Sequence, residues 1–172
     1  NRVSVIDLGS VPKSATGLTI SATEPVTAAA KVTNDGDGDQ ADFALVNASV
    51  PMNVSAIAVP DHATAQVSVT NTSDDDRTAT LTSYNGDGDI VEQSDLTIRA
   101  GASTTIELAD INDGDVAAVS LADPDQSMVW NIRVSQKDVS DAKLAGVSII
   151  GATDLKEARE QVWSNQNMTI VR

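Results

Sequence analysis

The chain has 172 residues, with 25 Asp or Glu against 11 Lys or Arg, for a formal net charge of −14. A surface this acidic repels nucleic-acid phosphates and anionic lipid headgroups, and its plainest effect is solubility. The absence of Cys removes disulfides, thiolate zinc sites and Cys nucleophiles, and with aromatics at 2% the core must be built from Val, Ile, Leu and Ala.

The opening "NRVSVIDLGS" has no signal-peptide pattern and starts inside a strand-like run, as expected of a piece of a longer chain. Residues 1–50 offer about four strands, with apolar faces on Val5, Leu8, Leu18, Ile20, Ala28, Ala30 and Val32. Within them lies "NDGDGDQ", Asn34 to Gln40. An EF-hand-type loop needs oxygen ligands at alternating positions, then a Gly, then a closing bidentate acid. Asp35, Asp37 and Asp39 supply the alternating acids, but Gln40 stands where Gly is needed and Val46 stands at the closing position. These three Asp residues form a candidate for weak calcium binding, and no other cofactor is implied.

From residue 54 onward the period is two. Seven strands are expected, at about 54–59, 65–71, 77–84, 90–98, 103–108, 116–121 and 128–135. Their core faces carry Ala65, Val67 and Val69, then Leu96 and Ile98, Ile106 and Leu108, Ala117, Val119 and Leu121, and finally Met128, Trp130, Ile132 and Val134. Between them "NTSDDDR", "RAGAS", "NDGD" and "DPDQS" are turn compositions. "YNGDGDIV" is read as a hairpin tip with Asp87 and Asp89 in water, because Asn and Gly both tolerate positive φ. Short strands at this spacing without helices between them indicate an antiparallel β-sandwich of immunoglobulin-like size.

The chain also repeats itself. "VIDLGSVPKSATGLTI" at 5–20 aligns with "TIELADINDGDVAAVSL" at 105–121, "VTAAAKVT" at 26–33 with "MVWNIRVS" at 128–135, and "ADFALV" at 41–46 with "SDAKLA" at 140–145. The period of about 100 residues is one sandwich per repeat. Residues 1–50 are then the C-terminal half of a first sandwich repeat, completed by 140–172, and residues 51–139 are a complete seven-stranded sandwich. The end departs from the pattern. "TDLKEAREQVW" predicts a short helix near 154–163, with Asp154 and Glu157 as a capping box and Leu155, Ala158, Val162 and Trp163 on one face.

Chemistry-bearing motifs are sparse. The single His, His62, follows Asp61 in a turn without a G-x-S-x-G elbow. No Gly-rich phosphate loop opens a helix, and nothing singles out two of the 25 acids as a glycosidase pair. The sequons at Asn47, Asn53, Asn71 and Asn167 are expected by chance in a chain so rich in Ser and Thr. No run of 18 apolar residues exists to span a membrane as a helix.

The segment "VSVTNTSDDDRTATLTSYNGDGDIVEQSDLTIRAGASTTIELADI" resembles a pattern recurring in secreted and membrane-anchored actinobacterial proteins. In that pattern a strand ends in Asn, and the strands after it are separated by "Y-x-x-D-G" and "A-G-x-S-T-T". "EPVTAAAKVTN" followed by "ADFALVNAS" is similar to the segment closing each repeat in one such family of unknown function. The resemblance implies export, an array of β-sandwiches and a place at the cell envelope, with no catalytic residues to carry over. The expected function is a non-catalytic extracellular structural or interaction module, with cell-wall glycan or another envelope protein as partner. The alternative is a glycan-binding or glycan-processing module with a weak structural calcium site.

Overall fold

The computed structural model describes residues 3–9, 17–34, 42–61, 64–136 and 146–155. Two strands, β1 (Ala29–Asn34) and β2 (Asp42–Asn47), form an N-terminal antiparallel hairpin. Then follow β3 (Val54–Ala58), β4 (Thr64–Asn71), β5 (Arg77–Tyr84), β6 (Ile90–Ile98), β7 (Ser103–Glu107), β8 (Ala118–Ala122), β9 (Met128–Gln136), β10 (Gly146–Gly151) and β11 (Thr153–Asp154). Two short 3-10 turns, Leu108–Asp110 and Asn112–Gly114, link β7 to β8.

The strands after the hairpin make two antiparallel sheets, ordered β10-β9-β4-β7 and β11-β3-β8-β5-β6. Alternation in sequence becomes alternation in burial. Ala65, Val67 and Val69 of β4 and Met128, Trp130, Ile132 and Val134 of β9 point inward from the first sheet. Ile57, Ala79, Leu81, Val119 and Leu121 meet them from the second, within one continuous core. Each fully buried Val or Leu side chain contributes roughly 1.5–3 kcal/mol, so this inner layer outweighs any surface pairing. Trp130, only 3% exposed, ties the sheets together, its indole N–H donating to Ser55 Oγ of β3 at 2.7 Å. A buried indole N–H needs such a partner.

The all-β expectation and all seven strand positions hold, with small shifts at the ends. The strand expected to end at 108 ends at Glu107 because Leu108 turns into the core in a 3-10 turn, and the strand expected at 116 begins at Ala118, after the buried Val116. The chain crosses from the first sheet to the second between β10 and β11, with Leu155 N–H donating to the Val54 carbonyl at 2.9 Å. Residues 156–163, where the short helix is expected, lie outside the described residues; Asp154 itself ends β11.

The N-terminal stretch departs from expectation. Residues 3–9 and 17–28 contain no strand, and Val5 is 93% exposed. Alternation marks which face of a strand would be buried, but a ladder needs a neighbour with free N–H and C=O groups. The hairpin has one such neighbour, each strand for the other. Of the stretch expected to complete the N-terminal unit, the described residues 146–155 pair with β9 and β3, and β10 also lies against β2.

Candidate functional site

One end of the sandwich carries a cleft of about 220 Å³. Val59, Pro60, Leu108, Val116 and Ala117 form its apolar wall, and Asp61, Thr64 and Asp115 supply polar groups. Gly86 reaches it from the β5–β6 hairpin tip. The floor is shaped by an unusual backbone run: Asn112, Asp113 and Gly114 all have positive φ, at 46°, 53° and 83°. Asn and Asp accept that conformation at a modest cost, and Gly accepts it freely. The volume falls short of the roughly 300–1,000 Å³ of ordinary small-molecule sites.

The hairpin tip beside it is a turn, as its sequence predicts, but by a different device. Asn85 Oδ1 accepts from the N–H of Asp87 at 3.1 Å and of Asp89 at 2.8 Å, an Asx cap over the loop. The left-handed residue is Gly88, at φ 87°, and not the Asn-Gly pair. Asp87 and Asp89 are exposed. Among the described residues no group of three or more His, Cys, Asp or Glu is arranged to hold a metal ion. Asp35, Asp37, Asp39 and His62 lie outside the described residues.

Two buried polar residues brace the opposite loops. Asn71 ends β4 fully buried. Its amide donates to the carbonyls of Asp75, Ile98 and Arg99 at 2.8, 3.0 and 3.2 Å, and its Oδ1 accepts from Ser73 N–H and Oγ. Asn71 therefore closes the "NTSDDDR" loop and cannot carry a glycan at its sequon. Asp123, also fully buried, accepts from the N–H groups of Ser127 and Met128 at 2.6 and 2.7 Å. It holds the "DPDQS" turn shut. Both are structural knots whose polar atoms are consumed internally. Sequence reading placed both stretches as turns but missed these knots; an Asn ending a strand and an Asp before Pro are the signals that could have found them.

The aromatics give no stacking platform in the cleft. Trp130 is in the core, and Tyr84 lies half-buried on the outer face of the second sheet with its hydroxyl 3.2 Å from Ser120 Oγ. Trp163 lies outside the described residues.

The most exposed apolar surface is elsewhere. Twelve large hydrophobic residues are exposed among the described ones, and ten of them precede residue 51: Val3, Val5, Ile6, Leu8, Leu18, Ile20, Val26, Phe43, Leu45 and Val50. Exposed apolar residues are ordinary when scattered singly; here they are concentrated in one stretch of the chain. On the hairpin, Phe43 is 51% and Leu45 63% exposed, and the Lys31 ammonium sits 4.4 Å from the Phe43 ring centroid. The other hairpin face holds Ala44, which is buried. Among the described residues a side-chain hydrogen bond ties that hairpin to β10: the Asp42 carboxylate accepts from Val147 N–H at 2.9 Å. The same carboxylate accepts from Phe43 N–H. The Val147 bond first and the Phe43 bond second hold its pKa below the ordinary Asp range. Further up the chain, the backbone at Gly17 lies so close to β4 that an added Cβ would stand 2.6 Å from Thr70 Oγ1.

No helix among the described residues is long and apolar enough to cross a membrane. A family model described as a family of unknown function (DUF5719) matches residues 1–109. No curated protein and no solved structure matches the chain.

Proposed function

The chain belongs to DUF5719, a family of unknown function, and on that premise we propose that it is a non-catalytic structural and interaction module of an exported cell-envelope protein, built of immunoglobulin-like sandwich repeats of actinobacterial type. The observation that carries this reading is the crowding of exposed apolar side chains before residue 51, beside a closed sandwich whose buried polar groups are spent on bracing loops. Such a surface fits contact with protein. The small cleft, without aromatic walls, offers little to a glycan.

The test places a photo-crosslinking residue at Leu45 of the full-length protein in the cells that make it. The expected result is an envelope-fraction protein joined to another protein through that position. Recovery in the cytoplasm, or adducts carrying cell-wall glycan in place of protein, would overturn the reading. The competing role, a glycan-binding or glycan-processing module with calcium, predicts retention on insoluble cell-wall glycan that strengthens when calcium is added.

A further inference from the structure

The chain has one Asn-Gly pair, Asn85–Gly86, at the tip of the β5–β6 hairpin. Gly has no Cβ, so its backbone nitrogen can approach the side-chain amide of the residue before it. The Asx cap draws the two groups together. Asn85 Oδ1 accepts from Asp87 N–H at 3.1 Å, and the ring closed by that bond contains both Asn85 Cγ and the Gly86 nitrogen. Gly86 itself is exposed to water.

Asn71 is held in the opposite sense. Its amide nitrogen donates to three carbonyls, and the next N–H in the chain, that of Thr72, donates to the Ser127 carbonyl at 2.8 Å. Both the group that would leave and the group that would attack are bound, and the side chain is buried. At Asn112 the amide nitrogen donates to the Asp115 carbonyl at 3.4 Å, and the residue that follows, Asp113, carries a side chain. At Asn85 it is the oxygen that is bound, by Asp89 N–H at 2.8 Å as well as by Asp87 N–H. Two N–H groups on a carbonyl oxygen stand where negative charge gathers when a nucleophile adds to the carbon.

We propose that Asn85 is a self-modification site, where the folded chain converts its own Asn to aspartate or isoaspartate. The Gly86 nitrogen gives its proton to solvent base and bonds to Asn85 Cγ, and the charge passes to Oδ1, which faces the Asp87 and Asp89 N–H groups. The adduct collapses by breaking the Cγ–Nδ2 bond, and Nδ2 takes a proton from water and leaves as ammonia. Water then opens the five-membered succinimide. Breaking its Cγ–N bond gives aspartate, and breaking the bond to the Asn85 backbone carbonyl carbon gives isoaspartate. Nothing is oxidised or reduced. Each conversion adds a negative charge to a tip that already carries Asp87 and Asp89 and borders the cleft. An aspartate at position 85 keeps an acceptor oxygen for both N–H groups. Isoaspartate makes a side group of the Asn85 backbone carbonyl, which accepts from Gly88 N–H at 3.1 Å, and so breaks the turn.

The experiment holds the 172-residue chain and a synthetic peptide of residues 82–92 in the same mildly alkaline buffer and follows both by mass spectrometry. A gain of about one dalton is expected on the fragment of the chain containing Asn85, with ammonia released, at a rate no slower than in the peptide. The fragments containing Asn71 and Asn112 should stay unchanged. Gly86→Ala should slow the conversion by about tenfold or more, because its methyl obstructs the approach to Cγ. The variant should unfold in urea as the wild type does: Gly86 lies outside the left-handed region, and among the described residues an added Cβ meets nothing within 4 Å. Conversion much slower in the chain than in the peptide overturns the proposal, because the cap would then lock the amide. So does conversion of Asn71 at a similar rate, or a folded Gly86→Ala chain that converts as fast as the wild type.

Discussion

Residues 3–50 and 51–155 are written in the same alternating style, yet they fare differently. In the second region every strand finds at least one neighbour, and Val67, Val69, Val119 and Ile132 are fully buried. In the first region Val5, Leu18 and Ile20 alternate just as well and remain in water. Alternation decides which face of a strand is apolar. Burial depends on whether a second layer exists to meet that face. The hairpin β1–β2 sits between these extremes, paired once, docked on one face at Ala44 and exposed on the other at Phe43 and Leu45.

The comparison breaks hardest at Trp130. Trp130→Ala removes the largest core side chain and leaves the Ser55 hydroxyl without its indole donor, at a cost of about 3–5 kcal/mol in urea unfolding. A loss under roughly 1 kcal/mol would mean that the two sheets are not held by a shared core. Next is Asn71→Asp, which turns a donor toward three carbonyl oxygens into an acceptor. Roughly 3 kcal/mol of destabilisation is expected, and wild-type stability would show that the knot is dispensable.

Smaller effects sharpen the contrast from the N-terminal side. Gly17→Ala pushes a methyl into Thr70, whose hydroxyl is bonded to Ser103 at 2.8 Å. The cost should be about 1 kcal/mol, with NMR shifts confined to residues near Thr70 and Ser103. Shifts spread through the core would contradict a surface contact. Phe43→Ala with Leu45→Ala should change stability by less than about 0.5 kcal/mol while lowering the binding of a hydrophobic dye. A large stability loss would place these side chains in a core.

The smallest expected effect is at Asp42. Its folded pKa is lowered by the Val147 and Phe43 bonds, so its contribution is present above the ordinary Asp value and is lost as pH falls through the lowered folded value. The Val147 amide should therefore lose exchange protection only on acidification below that value, and Asp42→Asn should weaken this pH dependence. Protection lost already near neutral pH would point to another titrating group.

The sandwich was legible because period two survives folding unchanged: the seven strands, and the inward faces of β4 and β9, follow from the alternating apolar positions. What was not legible depends on contacts distant in sequence. Nothing in "VIDLG" says whether a partner strand exists. The turn at Asn85–Asp89 was readable as a turn, but the choice of Gly88 over the Asn-Gly pair for positive φ is set by how the flanking strands meet. Asn71 and Asp123 look like ordinary loop residues until the carbonyls and amides they serve are brought to them from 27 residues away or from the next strand.

Val54 opens β3 and Leu155 follows β11, and these two residues are bonded to each other. They therefore sit at one pole. Tension applied through them acts across the short β11–β3 pair and opens its bonds one after another, like a zip, where a pull from opposite poles would shear all of them together. Two residue pairs and one flanking bond are a weak latch under such a load. Pulled at residues 54 and 155, the unit should release in a small early step while the Trp130-centred body stays folded, an event that single-molecule pulling can resolve.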